Sequence, residues 1–196
     1  LSDSGQIGSV SVTGPNFNSS VATGGAGSLG IISLFDRCSG GFTQLFTMSG
    51  TLPSDNVAIG DILVDDTVSN RLLVVGSASG NVILNPLSTT SIALPAGVHT
   101  FVSMFDLGSA SYLSSIFLGL ALSNSSYISA KEVSTSILGV TVVGNFKGTV
   151  TFDPYGNPIT ISSLGNGDFF VATFDFFTNS LTSLSTFGRV NGSFNF

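Results

Sequence analysis

Gly80-Asn81-Val82-Ile83-Leu84-Asn85-Pro86 and Gly148-Thr149-Val150-Thr151-Phe152-Asp153-Pro154 are one segment written twice, 68 residues apart. Each opens on glycine, runs through β-formers and stops at an Asx-Pro turn. The match extends outward. Val74-Val75-Gly76 answers Val142-Val143-Gly144, and Phe105-Asp106 answers Phe174-Asp175. A worn third copy stands first, with Val12-Thr13-Gly14 and Leu34-Phe35-Asp36. A repeat this long is one supersecondary unit whose faces need stacked neighbours to cover them. The chain is therefore read as one repeat domain, 1–196, with copies over 7–50, 57–119 and 127–188 and a tail at 189–196.

Within each copy the local signal is β. Val, Ile, Thr and Phe cluster in short runs, and Gly, Asn, Asp and Pro punctuate them. The central copy predicts strands over Val57–Val64, Arg71–Gly76, Phe101–Phe105 and Tyr112–Leu118. An arm, Val82–Leu84 and Ile92–Leu94, interrupts the middle. The later copy predicts Tyr127–Val133, Val140–Gly144, Phe169–Phe174 and Leu181–Phe187, with an arm at Thr149–Phe152 and Ile159–Ile161. In the third strands, Phe101, Ser103 and Phe105 share one face, and Val102 and Met104 share the other. In the later copy Phe170, Ala172 and Phe174 oppose Val171 and Thr173. Strands without a charged face belong inside a stack of sheets. The fold expected is all-β, about three four-stranded antiparallel sheets of blade-like form. The alternative is a β-sandwich or jelly roll with a donated strand.

The stretch from Gly144 to Pro154, followed by Gly165-Asn166-Gly167-Asp168-Phe169-Phe170-Val171-Ala172-Thr173-Phe174-Asp175 and closing on Phe187-Gly188, resembles the bacterial β-propeller repeat of SBBP type. The likeness covers one copy well, the second fairly and the first poorly. The chain has no Trp, which that family often places in the last strand; Ile116 and Leu184 stand there instead. The resemblance implies propeller-like blades, usually extracellular, and no catalytic residues.

The two ends decide the expectation about partners. The first copy reads as starting at its second strand, Ile7 to Thr13, with its first strand missing. The tail, Val190-Asn191-Gly192-Ser193-Phe194-Asn195-Phe196, reads as a first strand with no sheet to follow. Three blades are too few to close a ring, and unpaired edges are normally covered. The expected closure is between copies of the chain. Val190, Phe194 and Phe196 of the tail would complete a neighbour's first sheet, with Ile7, Val10 and Val12 as the other candidates. Head-to-tail contacts of this kind give rings or filaments.

Composition narrows the function further. Charged residues are 8%, and the net charge is -6. A nucleic-acid binder needs a basic face, so that class is excluded. Apolar runs are too short for a membrane span. The start at Leu1 reads as a mature end after signal-peptide removal, hence an extracellular or cell-surface protein. Asn18, Asn124 and Asn191 head sequons and are candidate glycan sites on surface loops. The lone Cys38 makes no internal disulfide and reads as a small buried or turn residue. The lone His99 reads as a loop residue before a strand, so no Ser-His-Asp site is expected. Asp61, Asp65 and Asp66 are oxygen donors of the kind calcium takes, but without the spacing of a known calcium loop. Asp36, Asp106 and Asp175 recur where strands end and read as turn residues. No cofactor is implied. The reading is a secreted, self-assembling structural subunit of a filament or appendage, not an enzyme. The alternative is a carbohydrate-binding propeller-like module, which Tyr112, Tyr127 and Tyr155 support poorly because they are not repeat-equivalent.

Overall fold

The computed structural model describes residues 8–13, 17–24, 29–36, 39, 41–65, 71–85, 92–109, 111–123, 125–136, 139–175, 177–190 and 193–195. Ile7, Cys38, Asp66, Asn124, Asn191 and Phe196 lie outside them. The described residues are all-β, without a helix, in three antiparallel sheets that do not close into a barrel. No helix there is long and apolar enough to cross a membrane.

The strands in chain order are β1 (Gly8–Thr13), β2 (Phe17–Gly24), β3 (Leu29–Asp36), β4 (Phe42–Gly50), β5 (Asn56–Asp65), β6 (Arg71–Ser79), β7 (Asn81–Ile83) and β8 (Ile92–Ala93). There follow β9 (Val98–Asp106), β10 (Ser111–Ala121), β11 (Tyr127–Ser136), β12 (Gly139–Lys147), β13 (Thr149–Phe152), β14 (Ile159–Ser162), β15 (Asp168–Asp175), β16 (Leu181–Val190) and β17 (Ser193–Asn195). The first sheet runs β1-β2-β3-β4-β7-β8, the second β14-β13-β10-β9-β6-β5 and the third β11-β12-β15-β16-β17.

This order shows what the arms do. The hairpin β7–β8 lies in sequence among the strands of the second sheet, yet it pairs with β4 of the first, Ser49 opposite Ile83 and Gly50 opposite Val82. The hairpin β13–β14 likewise leaves the third sheet and joins β10 of the second, Gly119 opposite Phe152 and Ala121 opposite Val150. Each arm laces its own sheet to the one before. Gly80 and Gly148 start the arms at φ of 78° and 70°, a left-handed turn that glycine takes without steric cost.

Two apolar cores fill the stack. Ile32, Phe46 and Met48 of the first sheet meet Leu72, Val74, Phe101 and Phe105 of the second. Leu73, Val75, Val102, Met104, Ile116 and Leu118 from the opposite face of that sheet meet Val140, Val142, Phe146, Phe170 and Phe174 of the third. The second sheet is thus covered on both faces, as the alternation in β9 predicts. β15 departs from the same expectation. Phe170, Ala172 and Phe174 are buried, but Phe169 is 58% exposed and Val171 and Thr173 only half-buried. Among the described residues the third sheet ends the stack, and no further sheet packs on its outer face.

The expectation of a missing first strand is corrected. β1 holds that place, paired with β2 along its whole length, Val10 opposite Val21 and Val12 opposite Ser19. The first repeat instead has no arm of its own between β2 and β3, which pair as a hairpin with Gly24 opposite Leu29. The tail is not free either. β17 folds back on β16, with Arg189 opposite Phe194 and Val190 opposite Ser193. Ser193–Asn195 therefore pair within the chain and are not a lone strand. Asn18 is also no loop residue: it lies in β2 between Thr13 and Phe35.

Candidate functional site

Three places in this scaffold hold the sequence-derived candidates: the outer side of the third sheet, the acidic residues of β5, and the surroundings of His99.

The outer side of the third sheet is best read against its repeat-equivalent, the inner face of the second. Register matches Leu73–Met104 to Thr141–Thr173, Val75–Val102–Ile116 to Val143–Val171–Ser185, and Thr100–Gly119 to Asn145-adjacent Phe169–Phe187. Three apolar residues that fill a core in one sheet are hydroxyl residues in the other. The Thr141 and Thr173 hydroxyls bond each other at 3.0 Å. The small pair Thr100–Gly119 leaves room for Ile128 of β11, whose Cδ1 lies where a Gly119 side chain would start. In the third sheet two phenyl rings stand at that place. The outer face is thus mixed, with Thr141, Thr173 and Ser185 beside the exposed rings of Phe169 and Phe187.

The edges tell a different story. β5 carries Asp61 in mid-strand, and β11 carries Lys131 and Glu132; both strands bulge beside these residues. Charges and bulges on edge strands oppose pairing with another chain. On the opposite side, β16 from Ser183 to Phe187 has no charge and no Pro. Among the described residues no strand pairs with its outer edge over that stretch. The sequence-level candidates Val190 and Phe194 sit beside it, engaged in the β16–β17 hairpin.

The acidic candidates do not converge on a cation. Asp61 and Asp65 lie four residues apart on one strand, a separation of about 13 Å at the usual rise. Among the described residues no group of three His, Cys, Asp or Glu is placed to hold a metal. Asp61 Oδ2 instead accepts the Val133 amide of β11 at 3.1 Å, tying the second sheet to the third. Burial raises its pKa; the Ile62 and Val133 amides oppose this, and the Glu132 charge adds to it. Gly60 beside it permits the approach, since any side chain there would strike the Ala130 carbonyl. Asp106 and Asp175 close the turns after β9 and β15. Asp106 Oδ1 accepts the Ser109 amide at 2.6 Å, and Asp175 Oδ1 accepts the Phe177 and Thr178 amides at 2.8 Å. These amides hold both carboxyls below their ordinary pKa. The turn role read from their recurrence is what the geometry gives.

His99 is corrected from a loop to the second residue of β9, fully buried. Its Nε2 lies 3.1 Å from the Pro95 carbonyl. A carbonyl only accepts, so Nε2 carries the proton and Nδ1, which has no partner, carries the lone pair. Asp168, at the same place in β15, reaches back four residues in mirror fashion: its Oδ2 accepts the Leu164 amide at 2.9 Å. One repeat uses a donor and the other an acceptor for the same loop contact. Tyr155 from the turn of the β13–β14 arm stacks on the His99 ring at 6.1 Å and 12°, and meets Phe117 edge-on at 5.6 Å. Sequence reasoning missed this meeting, because the arm's crossing to the preceding sheet left no local signal.

Burial pushes the His99 pKa down, against the Pro95 bond. The unfolded chain therefore binds the proton more readily. Stability contributed by neutral His99 is complete above the ordinary imidazole value of about 6.5 and falls as the pH drops through it. Thermal melts from pH 7.5 to 5.0 should show a declining midpoint, and His99→Asn should flatten the profile over that interval. An unchanged slope in the variant would assign the decline elsewhere.

Comparison with protein-family models, with curated proteins and with solved structures finds no match for this chain.

Proposed function

We propose that this chain is a secreted, non-catalytic structural subunit, built of blade-like sheets, that assembles with further copies of itself into an extracellular filament or surface appendage. The joining is by β-strand pairing, as the sequence suggests, but through a different element. The slot assigned to the tail is filled by β1, and the tail is paired with β16. The contact surface is the outer edge of β16. One observation carries this reading: the edges β5 and β11 are blunted by charges and bulges, whereas Ser183–Phe187 of β16 is neutral and, among the described residues, no strand pairs with its outer edge. Edge pairing supplies main-chain hydrogen bonds as its source of affinity. Low overall charge lowers the repulsion between copies.

Ser183 and Ser185 are exposed, so Ser183→Lys and Ser185→Lys place on β16 the device that protects β11. The double variant should remain monomeric where the parent forms oligomers or fibres, with a melting temperature within about 2 °C of the parent's, as expected for surface substitutions. Light scattering after size exclusion and negative-stain microscopy read the outcome. A parent that stays monomeric at every concentration, or a variant that assembles equally well, would sink the proposal.

A further inference from the structure

The turn that carries Tyr155 does more than cover His99. Together with β10 and the turn between β15 and β16 it encloses a cleft of about 270 Å³, lined by Ser115, Phe117, Asp153, Tyr155, Thr178 and Asn179. Three separate parts of the chain converge there, and each is fixed. Tyr155 is 57% exposed although its ring is held by His99 and Phe117. Asp153 is buried; its Oδ2 accepts the Asn157 amide at 3.0 Å and the Leu181 amide at 3.4 Å, which ties the arm turn to the start of β16. The Asn179 amide donates to the Asp175 carbonyl at 3.0 Å.

The backbone of the cleft is unusual as well. Among the described residues the non-glycine positions with left-handed φ are Asp153 at 48° and Asn179 at 53°, and both line it. Such conformations are held only where the surroundings over-determine them, and they concentrate at ligand sites. Asx side chains tolerate them better than most, so a turn role accounts for part of this. It does not account for a ring that is 57% exposed in the same lining while it contacts His99 and Phe117.

We infer that this cleft binds a neutral sugar residue. The lining supplies an aromatic surface for a pyranose C–H face, with the Asn179 side-chain amide and the Ser115 and Thr178 hydroxyls as groups for the sugar hydroxyls. No Lys or Arg lines the cleft, and Asp153 is its one ionisable carboxyl. Phosphate, sulfate and uronate ligands are therefore disfavoured. Drug-sized ligands occupy clefts of about 300–1,000 Å³, so this one suits one or two sugar units. The inference does not depend on the assembly proposal, because the cleft is lined by residues of a single chain and none of Ser183–Phe187 is among them.

Two sources supply that chemistry: a free mono- or disaccharide, and the end of a glycan or polysaccharide. Saturation-transfer NMR with neutral hexoses, N-acetylhexosamines and their disaccharides tests the first, and a glycan array tests the second. Signal in either arm is expected from the parent chain. Tyr155→Ala should lower affinity at least tenfold, and Tyr155→Phe should retain most of it because the ring face remains. Asn179→Gly suits the left-handed backbone, so it keeps the fold, and it should weaken binding several-fold. Melting temperatures of all three variants show whether the fold persists. No neutral saccharide bound in either arm at tens of millimolar, or equal binding by the parent and a folded Tyr155→Ala, would overturn the assignment.

Discussion

Gly80→Ala should lower the melting temperature by about 6–20 °C, from a loss of about 3–5 kcal/mol at about 2–4 °C per kcal/mol for a chain of this size. Two independent costs combine. The alanine must adopt φ of 78°, which costs an L-residue about 1–2 kcal/mol. Its Cβ would also stand within 2.8 Å of Asp55 Cγ and 3.2 Å of Asp55 Cβ. Asp55 cannot yield freely. It is buried, and its Oδ2 accepts the Leu52 amide at 2.8 Å and the Thr51 hydroxyl at 3.0 Å. Burial raises its pKa, but the amides of Leu52 and Asn81 and the Thr51 hydroxyl outweigh that and leave it lowered. Displacing the carboxylate breaks these bonds, and since Thr51 and Leu52 are exposed each loss is about 0.5–1.5 kcal/mol. The loop from β4 into β5 then loses its hold on the first residue of the β7 arm.

The same substitution at Gly148 supplies the internal control. Its φ is 70°, and a side chain there would meet Ser126, whose Oγ accepts the Thr149 amide at 3.1 Å. Ser126 is neutral and makes fewer such bonds, so Gly148→Ala should cost less than Gly80→Ala. In an Asp55→Ala background the Gly80→Ala penalty should shrink by at least about 1 kcal/mol, the coupling expected of residues in contact. A Gly80→Ala variant within about 1 kcal/mol of the parent by urea unfolding would refute the clamp.

How much of this was legible beforehand divides along a physical line. The strands were, because period-2 alternation and Gly/Asn/Asp punctuation are local. β5, β6, β9, β10, β11, β12, β15 and β16 begin within three residues of the expected starts, although most run several residues longer. The turn roles of Asp106 and Asp175 were legible for the same reason, since a carboxylate binding amides two and three residues on needs no tertiary knowledge. Sheet membership was not. Nothing local in Gly148-Thr149-Val150-Thr151-Phe152 says that it will pair with Gly119–Ala121 of another sheet, which is a long-range register. The N-terminal misreading has the same origin. Matching Val12-Thr13-Gly14 to the second-strand ends Val74-Val75-Gly76 and Val142-Val143-Gly144 moved β1 into the second place. The Tyr155 cleft follows from the crossing of the arm, so it became visible only with it.

The lacing role of the arm makes Phe152→Ala a severe core truncation. Phe152 is fully buried and contacts Phe146 at 5.8 Å and Phe170 at 5.1 Å, both edge-on. Those rings belong to the third sheet, while the Phe152 backbone pairs with Gly119 in the second. One side chain thus joins the main-chain ladder of one sheet to the core of the next. Phe→Ala in a packed core costs about 3–5 kcal/mol, part transfer and part cavity. The aromatic pairs add about 0.5–1.5 kcal/mol beyond area, which puts the expected loss at the upper end of that range. Stacked units contact only their neighbours, so their cooperativity lives at the interfaces. Weakening this one should also split a single unfolding transition into two, the third sheet melting first. Hydrogen exchange would then show β12 and β15 amides opening before those of β6 and β9. Ile159→Ala, on the exposed strand β14 of the same hairpin, should cost less than about 0.5 kcal/mol. Equal losses at Phe152 and Ile159, or uniform exchange across both sheets in the Phe152 variant, would mean that the arm merely lies against the stack and does not hold it together.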